Sequence, residues 1–464
     1  MKLFSKDSQF YKKVFSLALP IAAQSLITIG VNMLDTIMVG SLGESALSAT
    51  SLANSFISIY QIFCMGLGMG ASVLVSRYWG MKTADADDKN GAGHALKQTV
   101  CLMLRLTLAL ASLFAVVTFI MPDVLMCMYT DDAEIIRLGS IYFDYSIITY
   151  FFLGTSLTTT IVLRSVGQVK LPLITSIGAF FVNLGANYIF IFGKFGAPRM
   201  EVAGAALGTL LARIFEAAII LGFLFIKDKR IGFRIKDLFM KTKSLIGEYF
   251  RICIPVLISD GILAIGNNSV AMVIGRLGAA FVAANAITSV TQQLSSVLVQ
   301  GVSQAGAIVT GQTLGEGSKE KTMKQGWMFL GLGFALGAIS AVFIMLVKGP
   351  IIGTYTNVSA ETTQIAHQLM IAISVILVFQ STNSIMTKGV LRGGGDTKML
   401  MLTDNIFLWV LSIPAGIIAG FYLHLPAFWI YVLLKSDQIA KTIWCVLRLK
   451  SGKWIKKIST GVQK

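Results

Sequence analysis

Residues 19–53 read LPIAAQSLITIGVNMLDTIMVGSLGESALSATSLA and hold an apolar helix long enough to cross a bilayer. One carboxylate, Asp35, sits in the second half of that helix. Gln24, Thr28 and Asn32 precede it at steps of four, four and three, so the four side chains share one helical face. A charged group at the centre of a spanning helix costs about 2.5–3.5 kcal/mol on insertion scales. The stripe is therefore expected to face protein or a water-filled cavity, and the default hypothesis is that it lines a transport pathway.

The stretch recurs. From Pro255 the chain reads PVLISDGILAIGNNSVAMVIGRLGAAFVAANAI. Pro20 to Gly40 and Pro255 to Gly275 are equally spaced, and Leu42-Gly43 maps onto Leu277-Gly278 at the same offset of 235. Gly66, Ala71 and Gly80 fall on Gly301, Gly306 and Gly315. A second pair, Leu163-Arg164, Gly167 and Lys170 against Leu391-Arg392, Gly395 and Lys398, is offset by 228. Two homologous halves are the reading.

Hydrophobic residues make up 55% of the 464 and charged residues 13%, against about 25% charged in an ordinary soluble domain. With many apolar runs of spanning length, the expected class is an all-α membrane protein. The basic start, MKLFSKDSQFYKK, leads into an apolar stretch too long for a signal-peptide core and without a small-residue cleavage site. It is read as a cytoplasmic tail. The net charge of +16 marks cytoplasmic loops rather than a nucleic-acid surface.

Twelve spans are expected, near 14–39, 52–76, 98–120, 136–163, 171–192, 202–226, 251–274, 285–311, 326–347, 363–390, 399–420 and 426–447. With the first tail inside, inward segments carry 29 Lys and Arg and outward ones five. The other five (Arg105, Arg213, Lys388, Lys435, Lys441) fall within helices. This asymmetry puts both termini in the cytoplasm, in the inner or plasma membrane. The expected domains are a six-helix lobe over 1–230, a basic cytoplasmic linker over 231–250 with an interfacial helical pattern, and a second six-helix lobe over 251–464. Six helices per half is an even number, so the repeat is parallel, which suits alternating access.

The motifs VNMLDTIMVGSLGESALSA, RYWG, VLRSVGQVKLPL and NLGANYIFIFG in the first half, with GRLGAAFVAANAI, GAIVTGQTLGEG and VLRGGGDTK in the second, resemble the multidrug and toxic compound extrusion (MATE) transporters across nearly the whole chain. The resemblance implies a V-shaped pair of lobes and export of amphipathic, often cationic, organic compounds in exchange for Na⁺ or H⁺. It implies that Asp35 is the cation or proton residue of the first lobe, with Asn183 and Asn187 as partners. One branch of the family has an Asp at the second of those positions, so Asn187 is closer to the NorM-like pattern. Some members carry a second cation site on acids of helices 7 and 10. This chain has Asp260 in helix 7 but Ser381 at the helix 10 position.

From the residues themselves, Asp35 suits ion exchange, because one buried carboxylate holds a proton or a cation but not both. The alternative is an Asp fixed by neighbouring Asn and Thr. Asn183 and Asn187 share a face at i, i+4 and can ligate Na⁺, or serve as interhelical glue worth about 0.6–2 kcal/mol each. Asp260 shares a face with Asn267 and is either a second ion or drug site or a fixed hydrogen bond. Lys388 either snorkels or pairs with Asp260. The five cysteines show no CxxC spacing, and His94, His367 and His424 are isolated. No catalytic residue, cofactor or metal site is expected, apart from Na⁺ at Asp35. The expected partners are small organic cations or amphipathic drugs and membrane lipid, with no nucleic acid, and a monomer is expected. A lipid-linked oligosaccharide flippase of a related superfamily is the second reading, disfavoured by few intramembrane cations. A channel or receptor is a third.

Overall fold

The computed structural model describes residues 7–85, 91–355 and 358–457. Lys2, Lys6, Lys89 and Lys464 of the charge comparison lie outside the described residues. Among the described residues the chain is helical with no strand. Twelve long segments follow one another: α1 Ser8–Gly40, α2 Glu44–Ala84, α3 Ala92–Ile120, α4 Ala133–Ser165, α5 Lys170–Phe192, α6 Val202–Lys227, α7 Lys243–Arg276, α8 Ala279–Gly315, α9 Lys319–Gly353, α10 Ala360–Leu391, α11 Thr397–Tyr422, and α12, made of Ala427–Leu434 and Ser436–Ser451. Ten of them are long and apolar enough to span a membrane. In α8 the polar run TSVTQQLSS (288–296) lowers the hydropathy, and α12 is broken at Lys435.

The repeat seen in the sequence has a conformational counterpart. Gly43 and Gly278, 235 residues apart, precede α2 and α8 with φ of +121° and +110°. Only glycine reaches that region without strain, so each repeat turns from its first helix into its second through the same device.

Among the described residues the chain forms two compact units, 7–22 with 254–457, and 23–253. This partition differs from lobes over 1–230 and 251–464. The first turns of α1 belong with the second repeat because Phe10 stacks edge-on against Phe329 at 4.9 Å, and because the bare Cα of Gly301 admits the Ala18 carbonyl. A Cβ on Gly301 would stand 2.5 Å from that oxygen. The first turns of α7 belong likewise with the first repeat. Tyr249 donates its hydroxyl to the Leu67 carbonyl at 2.8 Å, and Gly70 lies against Cys253. Pro20 and Pro255 sit near these two boundaries, where each removes a helical hydrogen bond.

The linker is not a long amphipathic helix. Its helical part is the five-residue 3₁₀ turn Ile235–Phe239, and α7 starts at Lys243. Asp228 folds the preceding segment by accepting the N–H groups of Arg230, Ile231 and Gly232. Arg105 donates to the Leu238 carbonyl, and Lys97 pairs with Asp237 at 3.1 Å. Burial opposes the charge on Asp237, but the Arg234 N–H and the Lys97 ammonium outweigh it and hold the carboxyl below its ordinary range. The VLRGGGDTK motif is also structural. Gly394 lies under the Trp454 ring, and buried Asp396 accepts both Nε and Nη2 of Arg448, at 2.7 and 3.0 Å.

Candidate functional site

Within the unit Ala23–Cys253, the second half of α1 faces α2, α4, α5 and α6 around a cavity of about 760 Å³. Gln24, Thr28, Asn32 and Asp35 all line it, one helical turn after another. Their spacing puts them on one face, and Ile27, Val31 and Val39 flank them along the cavity wall. The opposite walls bring Ile57, Met65, Leu153, Leu157 and Phe180, so the space is apolar with a polar stripe.

Asp35 is half-buried and accepts a hydrogen bond from Asn187 Nδ2 at 2.6 Å. The same amide nitrogen reaches Asn183 Oδ1 at 3.4 Å. Both asparagines are buried on α5, at 4% and 1% exposure, and Asn187 Oδ1 is a buried acceptor without a donor. A buried oxygen beside a carboxylate, with no hydrogen to accept, is chemically suited to a cation. The structure thus brings together Asp35, Asn183 and Asn187.

Two glycines hold α6 against this corner. A Cβ on Gly204 would lie 2.6 Å from the Phe190 backbone, and one on Gly208 would lie 2.0 Å from Asn187 Oδ1. They stand four apart, as small residues do where spanning helices close up. The two substitutions are expected to separate. Gly204→Ala strikes backbone and lowers the melting temperature. Gly208→Ala strikes the Asn187 amide, which yields by leaving Asp35, so dye efflux falls several-fold with a smaller change in melting temperature. Equal losses of stability from both would refute this assignment.

Three further groups line the cavity without a sequence pattern that marks them as site residues. The charge pattern reads Arg164 as a cytoplasmic loop cation. It is half-buried at the end of α4 and donates Nη2 to Gln24 Oε1, while Gln24 Nε2 donates to Ser176 at 2.6 Å. Arg213 and Glu216 pair at 2.8 Å on α6. Tyr142 donates to Asn54 Oδ1 at 3.4 Å. The signal for Glu216 was present, as an acid inside an apolar run three residues after an arginine. Arg164 carried no such signal, because a cation at a helix end reads as a loop charge.

Asp35, Arg164, Arg213 and Glu216 are the charged groups of the cavity wall. Glu216 has its arginine and Arg164 its glutamine. Among the described residues Asp35 has no ion pair, only asparagine amides.

The unit containing α8–α12 does not repeat this arrangement. Asp260 on α7 pairs with Arg392 at 3.3 Å. Lys388, the other cation the sequence offers to Asp260, is exposed. Asn267 is exposed and is not joined to Asp260, and Ser381 is buried with its hydroxyl unpartnered. Among the described residues no group of three His, Cys, Asp or Glu could hold a metal ion.

The MatE family matches the chain twice, over residues 20–189 and 255–441. The two matches begin 235 residues apart, the offset of the internal repeat. The chain is 27% identical over 453 residues to a probable multidrug resistance protein NorM of Thermotoga maritima, covering 96% of this chain and 93% of that one. Among solved structures, the MATE transporter VcmN of Vibrio cholerae superposes with a TM-score of 0.85 at 17% identity, covering 98% and 99%. A MOP superfamily transporter of Pyrococcus furiosus, whose binding pocket has reverse polarity, superposes with a TM-score of 0.83 at 21% identity, covering 97% and 99%.

Proposed function

This chain belongs to the MatE family, whose members are membrane transporters, and from that premise we propose that it is a secondary antiporter. It exports amphipathic, often cationic, organic compounds in exchange for Na⁺ or H⁺. The observation that carries this reading is the state of Asp35, a cavity-lining carboxylate held by asparagine amides and without an ion pair among the described residues. Such an acid is free to be neutralised in turn by cargo and by coupling ion. Each neutralises the same charge, so each displaces the other, which is the physical requirement of exchange.

The cavity supports the substrate class. A volume of about 760 Å³ lies within the range of drug-sized sites, and its mixed lining favours molecules with an apolar body and one charge. Asn187 Oδ1, buried and without a donor, supports Na⁺ beside Asp35, with Asn183 as a third oxygen source. The parallel repeat suits alternating access of the two halves, and the loop charges support termini in the cytoplasm and a place in the plasma membrane. A monomer suffices for this cycle.

Arg164 and Arg213 favour a second reading, a flippase for an anionic lipid-linked sugar. It is the weaker one, because Glu216 already neutralises Arg213 and no pair of free cations remains for a pyrophosphate. Reconstitution in liposomes separates the readings. Efflux of a cationic dye is expected under an imposed Na⁺ gradient or pH gradient, applied one at a time. The driving force is ample, since one charge moved through 100 mV supplies about 2.3 kcal/mol. Dye movement under neither gradient rules the antiporter out.

A further inference from the structure

The linker between α6 and α7 presents a surface that the exchange reading does not use. Four side chains of α3 fasten it. Lys97 pairs with Asp237 at 3.1 Å, and Gln98 Nε2 donates to the Lys241 carbonyl at 2.7 Å. Cys101 Sγ and Arg105 Nε both donate to the Leu238 carbonyl, at 3.3 and 2.9 Å. These four positions share one face of α3. Leu108, Val116 and Phe119 continue that face toward the far end of the helix, and all three are exposed. A rank of exposed apolar residues on a spanning helix is the face that meets lipid. The linker is thus strapped onto the bilayer side of α3. From Arg105 to Ile120, where α3 ends, the helix rises about 22 Å. That is short of the roughly 30 Å of a hydrocarbon core, so the strap lies level with the membrane edge.

What the strap turns outward is sorted by chemistry. Its two acids point inward. Asp228 is fully buried under backbone N–H groups, and Asp237 is held by Lys97 and the Arg234 N–H. Lys229, Lys236, Lys241 and Lys243 are exposed. Among these lysines Ile235 is 63% exposed and Phe239 84%, and Ile226, at the end of α6, is 73% exposed. The bias of basic residues to one side of a membrane accounts for the lysines, but not for a bare phenylalanine and two bare isoleucines among them. The turn cannot swing to bury Phe239 against protein, because two donors hold the carbonyl of the residue before it. Beneath a layer of lipid headgroups the same ring leaves water without moving.

We propose that residues 226–243 form an anchor selective for anionic phospholipid. Ile226, Ile235 and Phe239 enter the boundary between headgroups and acyl chains, and Lys229, Lys236, Lys241 and Lys243 meet the lipid phosphates of that leaflet. The occupant is the bilayer itself, for two reasons. The surface is continuous with the apolar face of α3, and its outward charge is complementary to anionic headgroups. None of its residues lines the cavity around Asp35, so the anchor is separate from the exchange site.

The test uses the full chain in detergent micelles, offered phosphatidylglycerol and phosphatidylcholine with the same acyl chains. Native mass spectrometry reads the ratio of the two lipids retained. Phosphatidylglycerol is expected to be preferred, and the preference to shrink as salt rises. A lysine near an anionic surface is worth about fivefold. The triple variant Lys236→Gln, Lys241→Gln, Lys243→Gln is therefore expected to lower the preference by about tenfold or more. Phe239→Asp is expected to lower it by about threefold or more, since a carboxylate then stands among the headgroups. All four side chains are exposed, so the melting temperature is expected to hold; should the triple variant not fold, Lys241→Gln alone carries the test. Free glycerol phosphate is expected not to displace the lipid. No preference in the unsubstituted chain, or displacement by glycerol phosphate, overturns the proposal. So does an undiminished preference in Phe239→Asp or in the lysine variants, which is the result for a basic surface that serves a protein partner instead.

Discussion

Asp35→Asn is expected to reach the membrane folded and to lose cationic dye efflux by about thirtyfold or more. The substitution keeps the shape of the side chain, and its carbonyl oxygen still accepts the Asn187 amide now 2.6 Å from Asp35 Oδ1. The melting temperature should therefore barely change. What disappears is the cavity's carboxylate charge that has no ion pair among the described residues. Removing one member of a desolvated charge pair costs about 2–5 kcal/mol, and the lower end of that range already corresponds to the stated loss. The coupling ion loses its seat through the same change, so gradient-driven transport should fall along with dye binding. Efflux at the unsubstituted rate, from a variant present in equal amount in the membrane, would take Asp35 out of the mechanism.

How much of this was legible beforehand depends on where each partner lies in the chain. The stripe Gln24, Thr28, Asn32 and Asp35 was readable because helical periodicity is local, and all four line one cavity. The repeat was readable because a turn needing positive φ demands glycine at Gly43 and again at Gly278. The partners of Gln24 were not readable, because Ser176 and Arg164 lie 152 and 140 residues away. The pairing of Asp260 with Arg392 spans 132 residues, and Lys388, just before the VLRGGGDTK motif, is an equally plausible cation by sequence alone. Asp437 and Lys441 pair at i, i+4 in KSDQIAK, so half of the buried network they form with Asp404 was visible. The other half, Asp404, joins them only through the packing of α11 on α12. Helix exchange at the repeat boundaries was hidden for the same reason. Phe10 against Phe329 and Ala18 against Gly301 are contacts between distant segments, and no local pattern announces them.

Glu216→Gln is expected to impair efflux of a cationic dye about tenfold, although Glu216 is neither on α1 nor in contact with Asp35. Glu216 holds Arg213 at 2.8 Å, and Arg213 lies within electrostatic reach of Asp35 across the same cavity. With the Glu216 charge gone, the nearest unpaired anion for the guanidinium is Asp35. An internal cation seated there competes with both cargo and coupling ion. A tenfold loss equals about 1.4 kcal/mol, which is modest for two unit charges a few ångströms apart at a protein-like effective dielectric. The signature is rescue: Arg213→Gln added to Glu216→Gln should restore most of the efflux, because the competitor is removed along with its restraint. If Glu216 only braced α6, the double variant would be no better than the single one. Dye efflux and dye affinity measured on the single and double variants decide between the two. A double variant as weak as Glu216→Gln would mean that Glu216 acts through the packing of α6 rather than by keeping Arg213 away from Asp35.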